Sequence, residues 1–205
     1  MSKRLSALVV ASAAVIVTVY VLSNPGGEDT PMELPVVDAS VDYGLEIDVA
    51  GQANGTIVID LFEDLAPLHV AQITSIAQDG GYDGVVFHRV IDGFMAQTGD
   101  VQFGKGADTS RAGMGGSELP DIQAEFSETP FARGIVGMAR SQSPNSANSQ
   151  FFIMFQQGDF LNGQYTVVGE VTSGMDVVDQ IKLGTGPNGS VLGEADKMAA
   201  VRVTQ

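Results

Sequence analysis

Residues 87–100 read FHRVIDGFMAQTGD, and this stretch decides how the rest of the sequence is interpreted. Arg89 lies on a strand-like segment, and the Asp92-Gly93 pair after it predicts a tight turn that brings the next segment beside the arginine. That segment supplies the side chains of Phe94, Met95 and Gln97. A lone arginine on a strand is usually a surface or ion-paired residue, whereas an arginine among these neighbours indicates a functional site.

Residues 149–155, SQFFIMF, form the second informative stretch. Successive side chains of a strand point to opposite faces, so this segment has two distinct surfaces. One face carries Gln150, Phe152 and Met154. The other face carries Phe151, Ile153 and Phe155, which are expected to fill the core. The first face is therefore predicted to line the site.

The segments around these two stretches predict the fold class. Apolar and polar residues alternate over residues 45–49 and 57–61 around a turn segment, which indicates a β-hairpin. Further short strand-like pieces follow between clusters of Gly, Pro, Asn and Ser, with a closing strand at 198–203. Helices are predicted over residues 66–78 and 175–183. This pattern is typical of an all-β fold, a closed antiparallel barrel whose ends are covered by two helices.

The N-terminus predicts export. Lys3 and Arg4 precede an uncharged, mostly apolar run over residues 5–22, the layout of a signal peptide or a signal anchor. The run is just long enough to span a bilayer, and the basic pair would place the rest of the chain on the outer side. Val21 and Ser23 are suited to a cleavage site, so a cleaved signal and a retained anchor both stay open. Either way, the expected location is the cell envelope, on the periplasmic or extracytoplasmic side.

Composition limits the remaining possibilities. The chain has 205 residues, 44% of them hydrophobic, which suits one folded core plus a targeting segment. Its net charge of −15 disfavours binding to nucleic acid. The absence of cysteine excludes disulfides, thiolate metal sites and cysteine nucleophiles. The sequence therefore divides into a signal peptide or membrane anchor at 1–22, a linker at 23–40 and one domain at 41–205.

The two informative stretches resemble the signatures of the cyclophilin family. Residues 87–100 are similar to its arginine-bearing signature, and residues 148–155 to its second signature. Residues 130–141, 160–171 and 174–181 resemble further family elements in the same order. The chain is identified as a member of the bacterial envelope type over about residues 43–205. The resemblance implies an eight-stranded closed barrel with two capping helices and peptidyl-prolyl cis-trans isomerase activity.

The resemblance also implies which residues form the site. Arg89 corresponds to the catalytic arginine of the family. The residues expected to line the proline and peptide grooves are Phe94, Met95, Gln97, Ala139, Arg140, Gln150, Phe152, Phe160, Leu161 and Tyr165. Three of them depart from the best-known members, since Phe160 replaces a Trp, Tyr165 a His and Arg140 an Asn. We expect these replacements to shift the preference for peptides.

These residue types suit the chemistry of an X-Pro bond. Its rotation must overcome an amide barrier of about 18–20 kcal/mol, and no bond is broken, so neither a nucleophile nor a cofactor is needed. Arg89 can donate a hydrogen bond to the proline nitrogen when the twisted amide localises its lone pair. Gln97 and Gln150 are expected to hold the peptide backbone. Apolar side chains would grip the ring, namely Phe94, Met95, Phe152 and Leu161.

Other features of the sequence are interpreted as structural. His69 and His88 are too isolated to build a metal site, and none is expected. The Gly-rich segment lacks the ending of a phosphate loop, and by position residues 106–116 resemble the mobile loop that borders the peptide groove. Asn54 and Asn188 head glycosylation-type sequons, which matter only in a host with that machinery.

The expected partners are proline-containing polypeptides, together with the membrane if the N-terminal segment is uncleaved, and the domain is expected to be a monomer. Two alternatives stay open. The same groove could serve a proline-peptide binding module or a chaperone holdase with little turnover. The barrel could also hold an unrelated small ligand, and only the motif match argues against that alternative.

Overall fold

A computed structural model of the protein describes residues 41–205. The segments predicted as a signal or anchor at 1–22 and as a linker at 23–40 lie outside the described residues. Within the described part, no helix combines the length and the apolar character needed to cross a bilayer.

Nine strands and two helices make up the described part. The strands are β1 (Gly44–Ala50), β2 (Gly55–Leu61), β3 (Val85–Val86), β4 (Arg89–Ile91), β5 (Met95–Thr98), β6 (Ile135–Met138), β7 (Phe151–Met154), β8 (Val167–Ser173) and β9 (Lys197–Thr204). The helices are α1 (Pro67–Gln78) and α2 (Met175–Val178), with 3-10 turns at Asp159–Leu161 and Pro187–Gly189. The predicted all-β class is confirmed.

The strands form one curled antiparallel sheet in the order β3-β9-β1-β2-β8-β6-β7-β5-β4. The sequence predicted a closed barrel of eight strands. The sheet instead has nine strands, and within residues 41–205 no pairing joins its two outer strands. Those outer strands, β3 and β4, were predicted as one segment. Phe87 and His88 interrupt it by bonding to other parts of the chain: Phe87 N donates to Asp196 O at 2.8 Å, and Val191 N donates to His88 O at 2.9 Å.

The predicted hairpin at the start of the domain is confirmed as β1 and β2, whose partners run from Gly44 opposite Asp60 to Val49 opposite Gly55. Its alternation places Leu45, Ile47 and Val49 in the core. The intervening acidic residues face solvent, and two of them accept from Arg202 of β9. Such exposed ion pairs contribute little to stability, so apolar burial holds the hairpin.

Helix α1 matches its prediction closely. Pro67 starts the helix, where its missing N–H is no loss. Glu125, from a distant loop, accepts the backbone N–H groups of Leu68 and His69, both at 3.1 Å, and contacts His69 Nδ1 at 2.6 Å. His69 is thus structural, as predicted, and its carboxylate partner fixes the helix N-terminus to the loop that carries Glu125.

Helix α2 is shorter than predicted, ending at Val178 instead of continuing to residue 183. Beyond Val178 the backbone makes tighter turns, with Ile181 N donating to Val178 O at 3.1 Å. Lys182 N then donates to the carboxylate of Asp196 at 2.6 Å, which draws the chain away from the helix axis. The turns still bury Ile181, so the apolar residues of this segment face the core although the helix has ended.

Two apolar clusters divide the interior, and β7 contributes to both. Phe151 and Ile153 belong to the large core enclosed by the sheet and α1, with Phe155 packed against it, as predicted. Phe152 and Met154 point the other way, into a smaller cluster that we call the outer apolar cluster. Its buried members are Met95, Phe131, Ile135, Phe152, Met154, Leu161 and Val167. The alternation within β7 therefore places an apolar surface on the outside of the curled sheet.

Candidate functional site

Three neighbouring strands place the predicted site residues in one row. In the antiparallel register Arg89 of β4 lies opposite Gln97 of β5, and Gln97 lies opposite Phe152 of β7. Residues directly opposite one another on adjacent strands share a face. The turn at Asp92-Gly93 therefore brings Arg89 beside Gln97, as the sequence predicted, and the pairing of β5 with β7 places the Phe152 ring on the same side of the sheet.

The Arg89 guanidinium is held on two edges. Nη1 donates to Gln97 Oε1 at 3.1 Å and lies 3.8 Å from Met95 Sδ. On the other edge, Nε donates to Asn188 O at 3.0 Å and Nη2 donates to Asn188 Oδ1 at 3.3 Å. A guanidinium has five N–H groups, so one N–H of Nη2 has no partner within the described residues. Burial lowers the pKa of Arg89 from its ordinary value.

A chain of amides orients the polar side chains of the site. Gln97 Nε2 donates to Gln150 Oε1 at 2.9 Å, and Gln150 Nε2 donates to Gly115 O at 2.7 Å. The Gly115 backbone is fixed in turn, because its N–H donates to the carboxylate of Asp100 at 2.9 Å. Both glutamines also line the cleft described below. Gln97 and Gln150 are therefore placed where a peptide backbone can bond to them.

The outer apolar cluster borders this polar row. Met95, Phe152 and Leu161 are almost fully buried and form its floor. Phe152 stacks on Phe131 at 5.7 Å between ring centroids and meets the Tyr165 ring edge-on at 5.9 Å. The partly buried members that pack against the cluster include Phe94, Ala139 and Tyr165. The rings fix one another in preferred geometries, which makes a rigid apolar surface beside the guanidinium.

Phe160 lies at the rim of this surface. Its ring is 5.4 Å from that of Phe94, and 64% of the residue is exposed to solvent. It therefore extends the apolar surface outward, whereas the predicted pocket residue Leu161 next to it is buried. Both residues come from the 3-10 turn at Asp159–Leu161, whose successive side chains point in different directions.

A cleft of 430 Å³ adjoins the row on its other side. Its lining includes Gln97, Gln150, Ala139, Arg140 and the backbone of residues 113–117. Of residues 106–116, which were expected to border the peptide groove, 113–116 line this cleft. Gly106, Ala107 and Thr109 line a different cleft, which Lys182 and Lys197 share.

Arg140 closes one wall of the 430 Å³ cleft. Its guanidinium lies 4.5 Å from the centre of the Tyr165 ring. Nε and Nη2 donate to Gln164 O at 3.1 and 2.9 Å, and Nη1 donates to Ser141 O at 2.9 Å. Two of the three positions that depart from the family pattern, Arg140 and Tyr165, are thus in contact with each other, and together they join the loop after β6 to the segment before β8.

Asp100 anchors the glycine-rich loop. From the sequence it was expected, like Asp79, Asp83 and Asp108, to be solvated acidic surface, and for Asp100 that expectation is wrong because the residue is fully buried. Its fully buried carboxylate accepts four backbone N–H groups. They belong to Gln102, Phe103, Gly113 and Gly115, at 2.7 to 3.1 Å. Both ends of the loop are therefore fixed to one side chain. The Gly99-Asp100 pair predicts a turn. The bonds from Gly113 and Gly115, 13 and 15 residues further along the chain, cannot be predicted from that local pattern.

His88 lies on the opposite face from Arg89, as predicted, and is buried. Neither ring nitrogen has a hydrogen-bond partner within the described residues. Burial lowers the pKa of His88, since the charged imidazolium would lose its hydration there. Among residues 41–205, no group of three or more His, Asp or Glu side chains could hold a metal ion.

Comparison with known proteins finds relatives over most of the domain. A family model described as cyclophilin type peptidyl-prolyl cis-trans isomerase/CLD matches residues 45–203. A probable peptidyl-prolyl cis-trans isomerase of Brucella suis is 62% identical over 148 residues, covering 71% of this chain and 76% of the relative. Peptidyl-prolyl cis-trans isomerase B of Escherichia coli is 39% identical over 145 residues, covering 66% of this chain and 84% of the relative.

Solved structures share the same fold. A cyclophilin type peptidyl-prolyl cis-trans isomerase of Cryptosporidium parvum matches with a TM-score of 0.69 at 23% identity, covering 80% of this chain and 99% of that one. The same protein in the presence of the dipeptide Ala-Pro matches with a TM-score of 0.68. The cyclophilin AquaCyp293 of Hirschia baltica matches with a TM-score of 0.63 at 24% identity, covering 78% of this chain and 76% of that one.

Proposed function

This chain belongs to the cyclophilin family of peptidyl-prolyl cis-trans isomerases, and from that premise we propose that Arg89 and the outer apolar cluster perform the isomerisation, on X-Pro bonds of exported polypeptides. One observation carries the proposal. A guanidinium with one N–H that has no partner among residues 41–205 borders an apolar surface that can receive a pyrrolidine ring. A solved structure of the same fold was determined in the presence of the dipeptide Ala-Pro, which supports proline-containing peptides as the class of ligand.

The chemistry requires selective stabilisation of the twisted amide. Resonance between the nitrogen lone pair and the carbonyl keeps the bond planar, and this resonance is lost halfway through the rotation. The lone pair is then localised on the proline nitrogen, where it accepts a hydrogen bond that the planar amide does not accept. An N–H of Arg89 directed at that nitrogen favours the twisted state over both ground states. Each tenfold acceleration requires about 1.4 kcal/mol of such preference.

The remaining site residues hold the substrate for this event. Phe94, Met95, Phe152 and Leu161 surround the ring, which stays fixed while the preceding carbonyl rotates. Gln97 and Gln150 donate to the peptide backbone from the row beside Arg89. Met95 and Phe152 are locked by packing, so the apolar surface is preorganised and little entropy is lost when the ring binds.

The proposed place of action is the outer side of the cytoplasmic membrane. The support is the N-terminal sequence, in which Lys3 and Arg4 precede the apolar run over residues 5–22. Uncatalysed X-Pro isomerisation takes about 10–100 s, long enough to delay folding of exported chains. Mass spectrometry of the N-terminus in membrane and soluble fractions tests this part, since a full-length chain in the cytosol would contradict it.

A peptide isomerisation assay on the full chain tests the mechanism. Arg89→Ala is expected to lower kcat by two or more decades, while Arg202→Ala leaves it unchanged. Arg202 is the matched control, because it is an exposed arginine of β9 whose ion pairs are with Glu46 and Asp48 of β1. Activity of Arg89→Ala within a factor of two of the unaltered chain would refute the proposed role of Arg89. Suppression of aggregation without turnover would instead favour the holdase.

A further inference from the structure

A turn near the C-terminal end of the domain lies directly against the strand that carries Arg89. Gly184 N donates to Val90 O, and Val191 N donates to His88 O, both at 2.9 Å. Between these two bonds, Ser190 and Arg89 form an isolated antiparallel bridge. The turn is thus attached to the backbone on both sides of the arginine, and Asn188 lies at its tip.

Asn188 has an unusual backbone conformation. Its φ of 55° and ψ of 29° lie in the left-handed region, and within residues 41–205 no other residue except glycine has a positive φ. This region is unfavourable for residues with a Cβ, although Asn tolerates it better than most. The surrounding turn enforces it, because Ser190 N donates to Pro187 O at 3.1 Å and Gly186 N donates to Ser190 O at 2.9 Å. A strained residue held by its surroundings often serves a function.

The consequence of this conformation is that both oxygens of Asn188 face Arg89. The backbone oxygen accepts from Nε at 3.0 Å and the side-chain oxygen accepts from Nη2 at 3.3 Å. Gln97 holds the opposite edge through Nη1. Because the guanidinium is planar, contacts on two edges fix both its position and the tilt of its plane. The remaining N–H of Nη2 then has one direction available to it.

We propose that Asn188 is a positioning residue for the isomerisation, which holds Arg89 so that its free N–H points to the proline nitrogen. Asn188 acts through Arg89, so this inference rests on the proposed role of that arginine. Asn188 is not among the residues that line the 430 Å³ cleft, and we expect peptide binding there not to depend on it. Loss of its side chain therefore lowers kcat and leaves KM unchanged.

Asn188→Gly in the full chain tests this assignment. Glycine keeps the left-handed backbone and its carbonyl acceptor, so the substitution removes the Oδ1 contact alone. A lost hydrogen bond to a charged group, at the weak end of its range, corresponds to about a tenfold fall in kcat. Asn54→Gly is the matched control, because Asn54 also precedes a glycine in a surface turn and its side chain bonds to the backbone, at Gly51 O.

Three measurements separate positioning from a structural role. The expected result for Asn188→Gly is a lower kcat, unchanged KM and urea midpoint, and a broadened ¹⁵N resonance of Arg89 Nε–H. An unchanged kcat would overturn the inference, as would a fall in kcat that is matched by loss of stability. Combining Asn188→Gly with Arg89→Ala distinguishes the two proposals. If Arg89→Ala alone has no effect, the proposed function fails; if Asn188→Gly slows both backgrounds equally, only this inference fails.

Discussion

Replacing Asp100 by Asn tests how the glycine-rich loop is held beside the site. The Asp100 carboxylate is fully buried, and each of its oxygens accepts two backbone N–H groups. An Asn side chain has the same shape but offers one oxygen and one NH₂. Whichever way the amide is turned, two backbone N–H groups then face a donor instead of an acceptor.

The magnitude follows from those two groups. A buried donor without an acceptor costs about 1–3 kcal/mol, so Asp100→Asn is expected to lower the free energy of unfolding by about 2–6 kcal/mol. That loss is large compared with the roughly 5–15 kcal/mol that stabilise a typical domain. Isomerase activity should fall as well at temperatures where the domain stays folded, because Gly115 also accepts from Gln150 in the site.

Urea unfolding of the two variants Asp100→Asn and Asp108→Asn provides the assay. Asp108 lies in the same loop but is exposed, and its carboxylate accepts one backbone N–H, from Ser110. Its replacement is expected to change stability by no more than about 0.5 kcal/mol, as for most surface positions. If the Asp100 variant is destabilised no more than the Asp108 variant, the carboxylate does not hold the loop and the reasoning is refuted.

Three further perturbations follow from the packing and the buried imidazole. Phe152→Ala should cost about 3–5 kcal/mol of stability in urea unfolding and abolish turnover, since it empties the centre of the outer apolar cluster. Gly174→Ala should destabilise strongly, because a Cβ there would lie 2.3 Å from Thr56 O at a φ of +88°. Gly163→Ala should cost only its backbone strain, because no atom of the described residues lies within 4 Å of the added Cβ. His88 has a pKa lowered by burial, so the unfolded chain binds its proton first and stability falls as pH drops below about 6.5, by at most about 1.4 kcal/mol per pH unit. His88→Leu should flatten that part of the pH profile, and an unchanged profile would show that His88 is not its source.

Local patterns explain which parts of the fold could be predicted from the sequence. The apolar side chains of the β1-β2 hairpin and of β7 repeat every two residues, and those of helix α1 repeat every three to four residues. These periods can be recognised in the sequence itself. The central part of the site is local too, because Arg89 and Gln97 belong to one hairpin closed by the turn at Asp92-Gly93.

The parts that were not predicted depend on residues distant in sequence. The break between β3 and β4 and the early end of α2 both result from bonds to the segment around Asp196. Asn188 contacts Arg89 across 99 residues, and its own sequence indicates a turn and nothing more. Phe131, which supports the Phe152 ring, likewise lies in a loop without a periodic pattern. A local sequence pattern predicts a helix or a strand, but it does not reveal which distant residues that element contacts.

The position of β9 in the sheet has a consequence for biogenesis. This strand comes last along the described chain, yet it pairs with β1, the first strand, and also with β3. A polypeptide emerging N-terminus first, from a ribosome or a translocation pore, exposes β1 with one side unpaired until residues 197–204 arrive. The sheet of the isomerase therefore cannot be completed before residues 197–204 have been synthesised. Until then, the unpaired edge of β1 is accessible to chaperones and proteases, as in other nascent chains.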